Sequence, residues 1–368
     1  MWDIFKSLKS LKSLKQGIFP SYLGIDIGTT SIKAVEVKPG KSLPEVINYG
    51  LLESSGYLSR TNQALQANTL RIFEKEVAEL LKLLVSEMKP KTNEALASLP
   101  VFSVFTTILD FPPMSPQDIE KSISFQARQY VPLPLSEVAL DWIKVGEYKD
   151  DKGYEHQQIL LISVPQDQIK KYQRIFEIAG LRLRALEIEG LSLARIFGGT
   201  DPTPTTIVDI GSRSTAVTFL EKGLVKFTEQ SDFGGASLTQ ALATSLGINP
   251  LRAEELKKER GITREGPDYE LSTIMMPFLD VIINEVKKIR YKYGNQFPAA
   301  PKTERLILSG GGANLLGVEE YFKREFDVPI VKAAPFEKFE YPPSMSGLIP
   351  ELNPIMSVAL GLVLREFA

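Results

Sequence analysis

The sequence predicts an α/β protein of two related lobes, with a small α+β unit inserted in the first. Three observations carry that expectation. The phrase Asp26-Ile27-Gly28-Thr29-Thr30-Ser31 returns as Asp209-Ile210-Gly211-Ser212-Arg213-Ser214. Each copy sits between two apolar runs, so each reads as strand, tight polar turn, strand. A third turn, Ser309-Gly310-Gly311-Gly312-Ala313-Asn314, follows the apolar strand 305–308 and precedes a helix. Two matching hairpins far apart in one chain suggest lobes that hold one phosphate chain between them.

The remaining elements follow in chain order. The first hairpin, 22–37, leads to a third strand ending near residue 51. Leu70, Phe73, Val77, Leu80, Leu81 and Leu84 recur at helical spacing and predict a helix over 69–88. Residues 95–109 read as strands broken at Pro100. From about 108 to 184 the chain reads as a separate unit: a strand, then a helix with Ser115 as cap and Pro116 at its first position, running to Tyr130. Two hairpin strands (139–145, 158–164) and a helix (166–179) closed by Gly180 complete it. A helix at 189–197 leads into the Gly/Thr/Pro-rich stretch 198–205, which marks a lobe boundary. Past the second hairpin, helices are expected at 237–246, 250–260, 277–293 and 353–367. The expected division is a basic amphipathic tail (1–20), a first lobe (21–107 with 184–202 and 353–368), the insert (108–183), a second lobe (203–260 with 303–352) and a small helical subdomain (261–302).

Composition excludes several chemistries. There is no cysteine, so disulfides, thiolate nucleophiles and cysteine-ligated zinc are impossible. The single histidine, His156, rules out a multi-histidine metal site and reads as a solvated residue of a hairpin. With 43 basic and 45 acidic residues the net charge is −2, which supplies no general attraction to nucleic acid. No apolar stretch reaches the roughly 18–20 residues needed to span a bilayer. The tail repeats Lys-Ser-Leu from Lys6 to Leu14; a period of three slips about 60° per repeat around a helix, so its apolar stripe does not stay on one face. A peripheral membrane anchor and an arm packed on the body both suit it.

The turns carry the chemistry. Gly28 and Gly211 let a ligand approach the backbone, and the residues after them offer consecutive N–H groups and hydroxyls. Asp26 and Asp209 end their strands just before the turn, where a carboxylate can hold Mg²⁺ through water. Gly310, Gly311 and Gly312 leave a flat surface for a ring, at the strand end where α/β sheets place ligands. Glu254 and Lys257, three apart on a predicted helix, form either a surface ion pair or a clamp on ribose and adenine. Asp232-Phe233-Gly234 imitates a kinase magnesium motif but lacks that motif's companions; Gly234 and Gly235 still fall near the expected ligand.

Two phosphate hairpins, an A-E-x-x-K helix and a G-G-G turn, in this order, resemble the actin/Hsp70/sugar-kinase superfamily, which implies the actin-like (ribonuclease H-like) fold. Within it the chain resembles the PilM family of type IV pilus assembly proteins, on nearly its whole length. The most specific part lies in the insert: Leu109-Asp110-Phe111-Pro112-Pro113-Met114, then Phe125-Gln126-Ala127-Arg128-Gln129-Tyr130-Val131-Pro132-Leu133-Pro134. PilM proteins carry a comparable E-A-x-x-Y-I-P-x-P phrase; here Gln126 takes the acidic place and Val131 that of Ile. The closing Val358-Ala359-Leu360-Gly361-Leu362 also fits.

The resemblance implies ATP and Mg²⁺ as cofactors. Gly28, Thr29, Thr30 and Ser31 would form the first phosphate loop, Gly211, Ser212, Arg213 and Ser214 the second, with Lys33 directed to the phosphates. Asp26 and Asp209 would hold the metal. Glu254, Lys257, Gly310, Gly311, Gly312 and Asn314 would take the nucleoside, and Glu189 falls where actin-like ATPases place a water-positioning residue. The family also implies a cytoplasmic adaptor at the inner membrane. It captures the N-terminal peptide of a PilN-type membrane protein between the first lobe and the insert, where Tyr130, Val131 and Pro132 are candidate lining residues, and it works with other pilus assembly components. Oligomers or filaments are compatible with it; nucleic acid is not an expected partner. A sugar-type kinase and an FtsA-like cell-division adaptor are the rival expectations. The insert, which reads as an interaction module, argues against the first, and the position of the last predicted helix at residues 353–367 argues against the second.

Overall fold

The structure, a computed structural model, describes residues 21–53, 74–263, 265–266 and 268–367. The tail expected at 1–20, and Leu70 and Phe73 of the expected helix, lie outside the described residues. Strand β1 (Tyr22–Ile27), buried along its whole length, runs antiparallel to β2 (Ser31–Lys38), which pairs with β3 (Glu45–Glu53). Helix α1 (Glu74–Met88) buries Val77, Ala78, Leu81 and Leu84. Strand β4 (Glu94–Leu99) then returns parallel to β1. Both strands are buried at every position rather than at alternate ones, because both of their faces are covered.

The chain next leaves this sheet. Strand β5 (Phe105–Phe111), helix α2 (Pro116–Ala127) and strands β6 (Val138–Lys149) and β7 (Glu155–Pro165) make a three-stranded antiparallel sheet, ordered β5-β7-β6, with a helix on one face. Leu109, Phe111, Ile119, Ile123, Trp142 and Leu161 give it a core of its own. The Ser115 side chain accepts from the Asp118 N–H as the expected cap, and α2 ends at Ala127, short of Tyr130.

Helix α3 (Gln166–Ile178) departs from expectation. The sequence places it in the insert, but Ile169, Tyr172, Ile175 and Phe176 join the core of the first lobe, and the helix packs against α1. Periodicity identifies an apolar face and not which sheet that face covers. Strand β8 (Arg182–Ile188), beside β4, is absent from the sequence reading because Arg182, Arg184 and Glu187 interrupt its apolar run. Those charges are matched in place: Arg182 and Arg184 lie 3.5 and 3.4 Å from Glu94, and Arg195 lies 2.6 Å from Glu187. The first sheet is thus ordered β3-β2-β1-β4-β8.

Helix α4 (Glu189–Phe197) crosses to the second lobe, whose strands are β9 (Thr205–Ile210), β10 (Thr215–Glu221) and β11 (Leu224–Ser231). Helices α5 (Gly235–Leu246), α6 (Pro250–Arg260) and α7 (Tyr269–Gln296) follow, then β12 (Arg305–Ser309), α8 (Val318–Glu325) and β13 (Ile330–Lys332). The sheet order is β11-β10-β9-β12-β13. Each five-stranded sheet therefore has two antiparallel pairings followed by two parallel ones, in the same chain order. Strand β11 escapes the sequence reading because it buries a lysine, Lys226, which a periodicity argument assigns to solvent.

Two helices are longer or shorter than expected. Pro277 reads as a helix start but lies inside α7, which extends upstream because Ser272 and Met275 are fully buried. The expected terminal helix is two: α9 (Ile349–Ile355) and α10 (Ser357–Leu364). The break falls just after Pro354, whose carbonyl accepts from the Gly310 N–H at 2.9 Å. Helix α10 packs on β1 and α4. Among the described residues no helix is long and apolar enough to cross a membrane.

Candidate functional site

The two repeated turns close in the same way. Gly28 N–H donates to Ser31 O at 2.9 Å, and Gly211 N–H donates to Ser214 O at 2.9 Å. They border one cleft: Gly28, Thr29, Thr30 and Ser31 from the first lobe, Gly211, Ser212 and Ser214 from the second, with Asp26, Lys33, Glu189 and Asp209 among the lining side chains. Arg213 does not line it. Gly234 and Gly235 secure the second turn from behind. A Cβ at Gly234 would lie 2.7 Å from the carbonyl oxygens of Gly211 and Ser212, so only glycine allows this approach. The Gly235 and Ala236 N–H groups donate to those same two carbonyls at 3.0 and 2.7 Å.

Register places the charged groups. Asp26 faces Lys33 across the β1–β2 pair, and the Lys33 ammonium donates to it at 2.9 Å. Ser98 of β4 donates to the other Asp26 oxygen at 2.8 Å. The second lobe repeats half of this: Ser309 of β12 donates to Asp209 at 2.7 Å, but Ala216 stands where Lys33 would be. Ser98 and Ser309 were not foreseen from sequence. Their signal is a serine at or next to the end of the strand that pairs in parallel with each D-I-G strand.

Glu189 opens α4 and borders the cleft. Burial, then the charges of Asp26 and Asp209, push its carboxyl well above the usual range, while Lys33 and the Val101 N–H oppose that rise. Burial likewise pushes Asp209 up to about 6, against the Ser309 hydrogen bond and Lys33. Burial would lower Lys33, but the Asp26 charge and hydrogen bond outweigh it and hold the ammonium above its ordinary value. Among the described residues the cleft thus concentrates three carboxyls around a single ammonium.

The remaining predicted residues, Glu254, Lys257, Gly310, Gly311, Gly312 and Asn314, are not among those lining the cleft. The Lys257 ammonium donates to Glu254 at 2.6 Å, to Thr239 at 2.9 Å and to the Gly235 carbonyl at 3.0 Å. Burial works against ionised Glu254, yet Lys257 holds its carboxyl below the usual range. The pair therefore fastens α6 to the loop behind the second turn. Gly310, with φ +80°, sits against the Ile210 carbonyl, Gly311 faces open space, and Gly312 abuts the Ile210 side chain. Asn314 donates to Glu351 O at 2.7 Å, leaving its own buried Oδ1 without a hydrogen bond. Phe102, Gln230 and Val358 also border the cleft and were not anticipated.

The lobes, their matching sheets and the facing turns define an actin-like protein. MreB5 of Spiroplasma citri bound to AMPPNP shares the fold with TM-score 0.53 at 13% identity, over 94% of this chain and 95% of that one. The chain belongs to the PilM family: the model for type IV pilus assembly protein PilM matches residues 24–367. A solved PilM-PilN type IV pilus biogenesis complex is similar with TM-score 0.78 and 22% identity, over 94% of this chain and 98% of that one. Cell division protein FtsA of Enterococcus hirae is 23% identical over 380 aligned positions, spanning 93% of this chain and 82% of its own length.

Proposed function

We propose that this PilM-family protein is an ATP-binding adaptor of type IV pilus assembly, at the cytoplasmic face of the inner membrane. One observation carries the nucleotide reading: two identically closed turns from separate lobes border one cleft beside a lysine and two aspartates. Their N–H groups and hydroxyls suit a phosphate chain, and Lys33 supplies a cation on a strand rather than a loop. Asp26 and Asp209 suit Mg²⁺, which binds through one or two carboxylates and takes its other ligands from phosphate and water. A bound cation would neutralise carboxyls that the fold crowds together. The Gly310–Gly312 turn, with Asn314, would bear the nucleoside, and Glu254 and Lys257 would hold that side of the site in shape. Glu189 would orient water near the phosphates; the adaptor role requires binding and not turnover.

The partner proposed is the N-terminal peptide of a PilN-type membrane protein. Phe125, Tyr130 and Leu133 are exposed on the insert, by 67%, 48% and 40%, whereas Val131 belongs to the insert's own core. Exposed apolar side chains on a folded unit suit an amphipathic or extended peptide. The insert also touches the second lobe: buried Lys226 of β11 donates to Gln158 of β7 at 2.8 Å. Lobe closure on a nucleotide would strain or tighten that contact, and so reach the peptide surface. Calorimetry with Mg-ATP, followed by capture of a PilN-type N-terminal peptide with and without ATP, tests both halves. Absence of ATP binding overturns the first, and absence of capture overturns the second.

A further inference from the structure

Gln230 of β11 stands opposite Ala216 of β10, and Ala216 stands opposite Asp209 of β9. Paired neighbours point to the same face of a sheet, and all three border the cleft. The corresponding row of the first lobe reads Leu51, Lys33, Asp26. The lobes share a plan, but their rows are chemically unlike. Beside its aspartate the first lobe has an ammonium; the second has a methyl group, with a neutral amide one strand further out. Among the described residues the Gln230 side chain makes no hydrogen bond. A half-buried amide in that state keeps its donors and its acceptor available to a ligand.

Position decides which part of a ligand Gln230 meets. The sheet runs β11-β10-β9-β12, so Gln230 and the Gly310–Gly312 turn flank Asp209 from opposite sides. Three strand spacings, about 14 Å, separate the two outer strands. A nucleotide with its nucleoside against the glycine turn and its phosphates past Asp209 would present its far end to Ala216 and Gln230. The small Ala216 side chain leaves that route open.

We propose that Gln230 binds the terminal phosphate of a nucleoside triphosphate, its NH₂ donating to a phosphoryl oxygen, and thereby distinguishes triphosphate from diphosphate. This rests on the nucleotide reading above. The test is calorimetry on the full chain with ADP and with a non-hydrolysable ATP analogue, each with Mg²⁺, for wild type, Gln230→Ala and Gln230→Glu. Gln230→Ala should weaken the triphosphate analogue about tenfold and leave ADP within about twofold, since a hydrogen bond to a charged group is worth roughly that much. Gln230→Glu keeps the shape and adds a repelling charge, so its loss should be larger and again confined to the triphosphate. Equal losses for both nucleotides, or no loss, overturn the assignment. Wild-type protein that binds neither nucleotide overturns the underlying reading instead, and this inference with it.

Discussion

Lys33 and Asp26 face each other on adjacent strands, ammonium to carboxylate at 2.9 Å, at the edge of the cleft between the lobes. Ser98 holds the other carboxylate oxygen, so Asp26 is gripped from both sides. A phosphate entering this space would compete with Asp26 for the same ammonium. Lys33→Met should therefore weaken ATP binding by about tenfold or more, the value of a charge-assisted hydrogen bond. Calorimetry in Mg²⁺ buffer measures it, and unchanged affinity would remove Lys33 from the phosphate site. Asp26→Ala and Asp209→Ala should each abolish the Mg²⁺ dependence of binding.

Lys226 is one contact between the second lobe and the insert, where β11 also meets β5 and β6. It is buried, its ammonium lies against Gln158 and 3.7 Å from Glu221, and Gly146 leaves room for it where a Cβ would lie 2.3 Å from Nζ. Burial lowers its pKa, opposed by Glu221. Lys226→Met should keep the protein folded, since the methionine avoids desolvating a charge and the part-exposed Glu221 and Gln158 can turn to water. Peptide capture should persist while its response to ATP is lost. Paired capture assays with and without ATP read this directly; an intact ATP response would show that the contact carries no signal.

The insert's boundary makes a third prediction. Replacing residues 105–164 with a short Gly/Ser linker removes a unit with its own core, together with Ile143, Val145, Leu160, Ile162 and Val164 that pack on the first lobe. It should lower the melting temperature, leave nucleotide binding intact and abolish peptide capture. Deleting 108–183 also takes away Ile169, Tyr172, Ile175 and Phe176, each worth about 1.5–3 kcal/mol of burial to the first lobe. That variant should fail to give a cooperative melting transition. Equal behaviour of the two deletions would place α3 outside the first lobe's core.

Glu187 gives a prediction on pH. Burial would raise its pKa, but Arg195, Arg365 and Ser192 outweigh burial and depress it. A depressed folded-state value means stability that is present above the ordinary glutamate pKa of about 4.3 and lost as pH falls through the lower folded value. Glu187→Gln leaves the half-buried Arg195 without its counter-charge and should cost about 2–3 kcal/mol at pH 7, below the value for a fully buried pair. In denaturant titrations the gap to wild type should narrow below about pH 4. A gap independent of pH would mean that shape, not charge, matters at Glu187.

The doubled D-I-G turn was legible because its requirement is local: glycine, hydroxyl residues and a strand on each side. The caps were legible for the same reason, as Ser115 before Pro116 illustrates. Strands β8 and β11 were not, because their charged residues are satisfied by partners far away in sequence. Arg184 finds Glu94 and Lys226 finds Gln158 only once the sheets have formed. Ser98 and Ser309 were invisible as site residues for a like reason: each acts on an aspartate that parallel pairing brings beside it.

By itself the sequence determined two lobes with matching D-I-G turns, an insert between them and membership of a recognisable family, since these rest on short motifs and local hydrophobic pattern. Only the tertiary structure decided how unlike the two lobes are at the cleft. Lys33 and Ala216 occupy corresponding places, and Gln230 comes into view through strand register alone, because hydrogen-bonded pairing sets which side chains share a face. It also decided that α3 serves the first lobe, since an apolar helix face packs on whichever sheet the chain path offers it.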